Sequence, residues 1–154
     1  MKTLVYRILN VFTVSGDRLS GNPLCVFEDG SALSDAEMQA LARQFNLSET
    51  TFLLRPTKAQ ATARVRIFTP TFEMPFAGHP TLGTAHVVRS LASGDRDRNR
   101  DRVVLEMKAG EVDVTARGDR WKLRTARTPE SRVPSASRGE IAAMVGLPAS
   151  AIAA

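Results

Sequence analysis

Apolar and polar positions along this chain alternate with two rhythms, a period of two and a period near 3.6, and the switches between them mark the elements. Leu4 to Phe12 is dominated by β-branched, aliphatic and aromatic residues, which predicts a first strand ended by Ser15-Gly16-Asp17. Gly21-Asn22-Pro23 then turns the chain into a short apolar strand, Leu24 to Phe27, closed by Asp29-Gly30. Ser34-Asp35-Ala36-Glu37 is a capping box, and Met38, Leu41, Ala42 and Phe45 follow on one helical face. Asn46 is placed to stop that helix. Thr50 to Leu54 predicts a strand. Ala63 to Thr69 predicts another, with Ala63, Val65 and Ile67 on one face and Arg64 and Arg66 on the other.

The next segment departs from both rhythms. The fifteen residues from Met74 to Val88 contain no Asp, Glu, Lys or Arg in a chain that is 24% charged. Pro80 suits the first turn of a helix, so a helix starting near Gly78 and His79 is expected, buried on most sides. Its unpaired N–H groups and positive dipole end would face whatever lies in front, a ready place for a carboxylate or other anion. Three strands follow, Val103 to Met107, Glu111 to Ala116 and Arg120 to Thr125, joined as a meander by turns at Ala109-Gly110 and Gly118-Asp119, with Trp121 and Leu123 on the inner face. A second capping box, Ser137 to Glu140, opens a helix that should stop before Pro148. The order β-β-α-β-β-α-β-β-β-α, with hairpin-like spacing and few βαβ crossovers, predicts an α+β fold. Its mainly antiparallel sheet would wrap around the uncharged helix as a central, buried element.

Composition narrows the function classes. The chain has 154 residues, enough for one ordinary domain, and is 43% hydrophobic. No run approaches the ~18 apolar residues of a membrane span. Arg7 and Asn10 break any secretory pattern early. A single cysteine, Cys25, excludes an internal disulfide and suits a reducing compartment, so a cytoplasmic location is expected. The net charge is +5, but four arginines and three aspartates are mixed in Ser93 to Arg102 with no aromatic residue between them for base stacking. That segment reads as a solvated loop, and no nucleic-acid partner is expected.

Candidate chemistry concentrates at two places. Glu49 follows a helix and precedes an apolar strand; a carboxylate held at such an edge, near low-dielectric surroundings, suits giving and taking a proton near neutral pH. An exposed loop acid is the competing reading. His79, at the helix start, suits an anion site or a general base, or simply a backbone-bonded histidine, whereas His86, seven positions on, is expected to be a core residue. Two histidines and one cysteine make no metal-ligand cluster, neither nucleotide-binding glycine pattern is present, and Ser20 and Ser48 lack a nucleophile-elbow context. The reading is proton-transfer chemistry without a cofactor or metal.

Four motifs occur in order: Gly21-Asn22-Pro23-Leu24-Cys25-Val26-Phe27, Asn46-Leu47-Ser48-Glu49-Thr50-Thr51-Phe52, Arg66-Ile67-Phe68-Thr69-Pro70 and Pro75-Phe76-Ala77-Gly78-His79-Pro80-Thr81-Leu82-Gly83-Thr84-Ala85. Together they resemble the PhzF family, the phenazine-biosynthesis isomerases, whose fold is similar to that of diaminopimelate epimerase. The resemblance implies a cofactor-independent isomerase of a small carboxylate-bearing substrate such as trans-2,3-dihydro-3-hydroxyanthranilate. It places the acid/base glutamate at Glu49 and substrate-binding roles at Gly78, His79, Ser48 and Asn22. The related epimerases use two cysteines, and the first aligns near Ala77, so a two-thiol mechanism is not expected and Cys25 reads as a small core residue. Family members are roughly twice as long, with two similar halves enclosing the site. Residues 1–135 are expected to form the first half, and 136–154 the start of a connection to the second. A half domain that is catalytically incomplete without a second half, or that pairs with a second copy as a homodimer, is therefore the alternative reading.

Overall fold

The computed structural model describes residues 3–15, 17–92, 101–118, 120–125, 128 and 130–152. Eight strands form one sheet: β1 (Tyr6–Val11), β2 (Asn22–Phe27), β3 (Glu49–Leu54), β4 (Ala63–Phe68), β5 (Glu73–Met74), β6 (Arg102–Met107), β7 (Gly110–Arg117) and β8 (Arg120–Arg124). Helices α1 (Asp35–Phe45), α2 (Gly78–Leu91) and α3 (Arg138–Met144) and a 3-10 turn at Ala149–Ala151 complete the described fold. The sheet order is β1-β2-β3-β4-β6-β7-β8, with β5 pairing β4 on a branch. Within this mixed α+β fold, α2 touches β1 and β8, the two ends of the sheet, as well as β2, β3 and β6. A sheet can meet one helix at both of its ends only if it curls around that helix, so it forms a half-barrel.

The local sequence explains the elements. At α1, Ser34 and Glu37 form the reciprocal capping box, and Asn46 takes the left-handed conformation at the C-cap, φ 51°. In β2, alternate side chains serve opposite faces. Leu24 and Val26 join the inner core with Val65, Ile67, Val87, Leu105, Val112 and Val114. Cys25 and Phe27 join the outer core with Met38, Ala42, Phe52 and Phe68 beneath α1. Phe27 stacks on Phe52 with ring centres 4.8 Å apart, and Phe68 meets Phe52 edge-on at 5.6 Å. Cys25 is fully buried, and burial pushes its thiol pKa up to about 12, which suits a core residue rather than a nucleophile.

Antiparallel pairing predominates, as expected, but β2 pairs β3 in parallel and so does β4 with β6. Both α1 and α2 are therefore crossover connections. The two-residue strand β5 is an element the sequence did not predict. The expected burial of the uncharged helix also needs correction. On its sheet side α2 buries His79, Thr81, Thr84, Ala85, Val87 and Val88, yet Gly78 and His86 are exposed and Leu82 is half-buried. Residues 78, 82 and 86 share one face at four-residue spacing. The helix is thus covered on one side and open on the other. His86 is not a core residue: its ring meets Trp121 edge-on, with ring centres 5.8 Å apart, at the surface. Of the expected Arg/Asp loop, residues 93–100 lie outside the described residues.

Candidate active site

The turn at Gly21 begins the site. Its φ is +89°, and a Cβ there would run into the Val11 carbonyl oxygen, so this position requires glycine. The turn delivers Asn22 as the first residue of β2, opposite Val11 of β1. The parallel register then sets Leu24 beside Glu49, which brings Asn22 close to Ser48. Ser48 Oγ donates to Asn22 Oδ1 at 2.7 Å.

The second wall comes from α2. Gly83 lets the helix lie tightly against the sheet, since a Cβ there would meet Leu24 Cδ2 at 2.6 Å. A hydrogen bond between the Thr51 and Thr84 hydroxyls, 2.9 Å long and buried, pins β3 to α2. Ala77 is the N-cap in extended conformation and no side chain caps the helix. Thr81 N–H reaches the Ala77 carbonyl at 3.3 Å. The N–H groups of Gly78 and His79 have no such partner among the described residues, and Pro80 has no N–H to satisfy. A Cβ on Gly78 would meet nothing within 4 Å, so the space beside Gly78 is open.

His79 and Glu49 meet where these walls join. His79 Nε2 lies 3.3 Å from Glu49 Oε2, with side-chain exposures of 8% and 15%. The two atoms are off the line of a hydrogen bond, and neither has another partner among the described residues. On its other edge, His79 Nδ1 faces Asn22 Nδ2 at 3.3 Å. Burial pushes the His79 pKa below the ordinary histidine value, against the opposing pull of the Glu49 carboxylate and the Pro23 backbone carbonyl. The ring is therefore neutral at neutral pH. A buried carboxylate and a neutral imidazole with unmet hydrogen-bonding capacity, beside open backbone donors, can hold an anion and move a proton.

The structure thus brings Asn22, Ser48, Glu49 and His79 into one connected group, with Gly78 at its open rim. Glu49 is part of β3 rather than of a loop. Sequence reasoning missed the Thr51–Thr84 pin and the Pro23 carbonyl, and the only available signal was that each lies inside one of the four motifs. Among the described residues, no group of three or more His, Cys, Asp and Glu converges as metal ligands would. No helix there is long and apolar enough to cross a membrane.

Comparison with known proteins gives a consistent result. The family model described as "Phenazine biosynthesis-like protein" (PhzC-PhzF) matches residues 9–151. The trans-2,3-dihydro-3-hydroxyanthranilate isomerase of Pseudomonas aeruginosa is 45% identical over 108 residues, covering 70% of this chain and 36% of that protein. An uncharacterised isomerase of Mesorhizobium japonicum is 52% identical over 92 residues, covering 60% of this chain and 30% of that protein. Among solved structures, the PhzF-family phenazine biosynthesis protein of Bacillus anthracis superposes with a TM-score of 0.73 at 28% identity, over 97% of this chain and 49% of that one. The chain therefore spans about a third of the length of these curated relatives and half of that solved structure.

Proposed function

Because the chain belongs to the phenazine biosynthesis-like PhzC-PhzF family, we propose that it carries the proton-shuttling wall of a cofactor-independent isomerase. The substrate class is a small carboxylate-bearing ring such as trans-2,3-dihydro-3-hydroxyanthranilate, the compound named for its Pseudomonas relatives. Glu49 is the acid/base. Its carboxylate takes a proton from one carbon of a conjugated system as that C–H bond breaks, and returns the proton to another carbon as the double bonds shift. No redox change occurs and no atom is lost. The Gly78 and His79 N–H groups, at the positive end of α2, hold the substrate carboxylate. Neutral His79 lines the path between the two.

The observation that carries this reading is the Glu49 Oε2 atom, buried 3.3 Å from His79 and without a hydrogen-bond partner among the described residues, beside a helix start with no side-chain cap. In an active preparation, Glu49→Gln is expected to lower turnover of trans-2,3-dihydro-3-hydroxyanthranilate by at least ~100-fold, the scale of general acid–base catalysis. Turnover surviving within a few-fold would remove Glu49 from this role.

A second reading, that this unit is catalytically incomplete without a second half or a second copy, is supported by the open space beside Gly78 and by the half-length match to the Bacillus anthracis structure. Light scattering combined with a turnover assay separates the two. A monomer of this chain that isomerises the substrate unaided would exclude the incomplete-unit reading.

A further inference from the structure

We infer that Thr51 and Thr84 are positioning residues: the hydrogen bond between their hydroxyls sets the approach of Glu49 to His79. The inference deepens the proposed function and rests on it for its catalytic meaning. Thr51 follows Glu49 by two residues on β3, so both side chains stand on the inner face of the strand. Thr84 follows His79 by five residues on α2. The two elements thus meet at two points in the same order, Glu49 with His79 at 3.3 Å and Thr51 with Thr84 at 2.9 Å. The arms between these points are about 7 Å along the strand and about 7.5 Å along the helix. Two stiff elements tied at one point have little freedom to part at the other.

The tie lies where it can act. β3 is inside the sheet, and Thr51 is paired with Val26 of β2 on one side and with Ile67 of β4 on the other. Gly83, next to Thr84, lets α2 come close, since a Cβ there would meet Leu24 Cδ2 at 2.6 Å and Val11 Cγ2 at 2.9 Å. Leu24 is the register partner of Glu49. Ala85, Val87 and Val88 bury α2 in the inner core, but apolar contact has no direction. It resists lifting of the helix more than sliding or rotation. A hydrogen bond weakens steeply when bent off line, so it fixes the register that apolar contact leaves loose.

The pair contributes little to folding that an apolar pair would not. Both threonines are fully buried. Two buried hydroxyls give up water for one bond to each other, and replacing both by apolar groups of the same shape is close to neutral for stability. What such a replacement removes is direction.

Two double variants separate position from stability. Thr51→Val with Thr84→Val (T51V/T84V) keeps the shape and removes the bond. Thr51→Ser with Thr84→Ser (T51S/T84S) keeps the bond and removes two buried methyl groups, so it is expected to be the less stable of the two in urea. The first readout needs no turnover. Burial lowers the His79 pKa, and the Glu49 carboxylate pulls it back up. The change in His79 pKa caused by Glu49→Gln, followed by NMR of the 15N-histidine-labelled chain, therefore reports how closely the two side chains approach. His86 is the other histidine, and His86→Gln assigns the signals. That change is expected to shrink by at least ~twofold in T51V/T84V and to persist in T51S/T84S. In an active preparation, kcat of T51V/T84V is expected to fall by roughly tenfold or more with KM nearly unchanged, while T51S/T84S stays within about threefold of wild type. Should two lost methyl groups unfold the chain, Thr84→Ser alone serves the same comparison. An undiminished Glu49 effect on His79 in T51V/T84V overturns the inference, as does turnover that follows stability, with T51S/T84S the weaker enzyme. A T51V/T84V chain that fails to fold overturns it too, because the bond would then be a condition of the fold. A diminished Glu49 effect in T51V/T84V, in a protein whose Glu49→Gln variant turns over at the wild-type rate, would refute the proposed function and leave this inference standing.

Discussion

Two glutamates, Glu49 and Glu73, lie at nearly the same depth, with side-chain exposures of 15% and 12%, and their surroundings are opposite. Arg66 grips Glu73 through two parallel bonds, Nε to Oε1 and Nη2 to Oε2, each 2.8 Å long, and Lys108 adds a third partner. The Arg66 hydrogen bonds, more than any other influence, hold the Glu73 pKa below the usual carboxylate range. Asp35 and the Phe68 ring, whose centre is 5.0 Å from the guanidinium carbon, complete the Arg66 surroundings. Glu106 follows the same pattern, taking the Thr57 hydroxyl and the backbone N–H groups of Thr57 and Lys58. Glu49 instead faces a neutral histidine and accepts nothing at Oε2 among the described residues. The acids that hold the fold together have their donors supplied, whereas the acid proposed for chemistry keeps one oxygen without a donor among the described residues. Burial alone does not separate these classes, and partner count does.

The comparison breaks first at Glu73. Replacing it with alanine leaves Arg66 half-buried and short of its main partner, so a loss of about 2 kcal/mol is expected in urea unfolding, below the range for a fully buried pair because Lys108 and Asp35 are exposed. Glu106→Ala should cost less but remain measurable by the same method, since neutral donors are released near the surface. Between these and Glu49 lies His79, which separates the classes by pH. Its folded pKa is lowered, so between that value and the ordinary 6.5 the unfolded chain binds more protons. Stability should therefore fall as pH drops below 6.5, and His79→Gln should flatten that part of the profile. The Glu73 contribution is present above its ordinary 4.5 and is lost only as pH falls further, toward its lowered folded value, so it survives that substitution. The smallest effect is expected at Glu49. Glu49→Gln removes no hydrogen bond at Oε2 and should change unfolding stability by less than ~0.5 kcal/mol. A loss as large as that at Glu73 would mean that Glu49 is a structural acid after all.

Much of this arrangement was legible in the sequence because its signals are local. The capping boxes at Ser34 and Ser137, the αL stop at Asn46 and the alternation in β4 each depend on residues a few positions apart. Glu49 and His79 stood out for the same reason, one at a strand edge and one at an uncapped helix start. Their meeting was not legible. It depends on the parallel β2–β3 register and on the close approach that Gly83 permits, and no short-range pattern encodes either. Parallel pairing was hidden because β2 and β3 are short apolar runs that would suit either direction. The open face of α2 was hidden because glycine, leucine and histidine at positions 78, 82 and 86 carry no charge to mark them as exposed. Absence of charge suggests burial, whereas along this stripe it marks an uncovered face.

The central claim is that the Glu49 carboxylate, whose Oε2 has no hydrogen-bond partner among the described residues, moves the proton. In an active preparation run in deuterium oxide with trans-2,3-dihydro-3-hydroxyanthranilate, mass spectrometry of the product follows label at the carbon that receives the proton. The account predicts that the wild type forms product at a rate the Glu49→Gln protein fails to approach by at least ~100-fold, with label at that carbon to the extent that the proton held on Glu49 exchanges with solvent before it is returned. Product formed by Glu49→Gln at the wild-type rate, with the same label at that carbon, would contradict it.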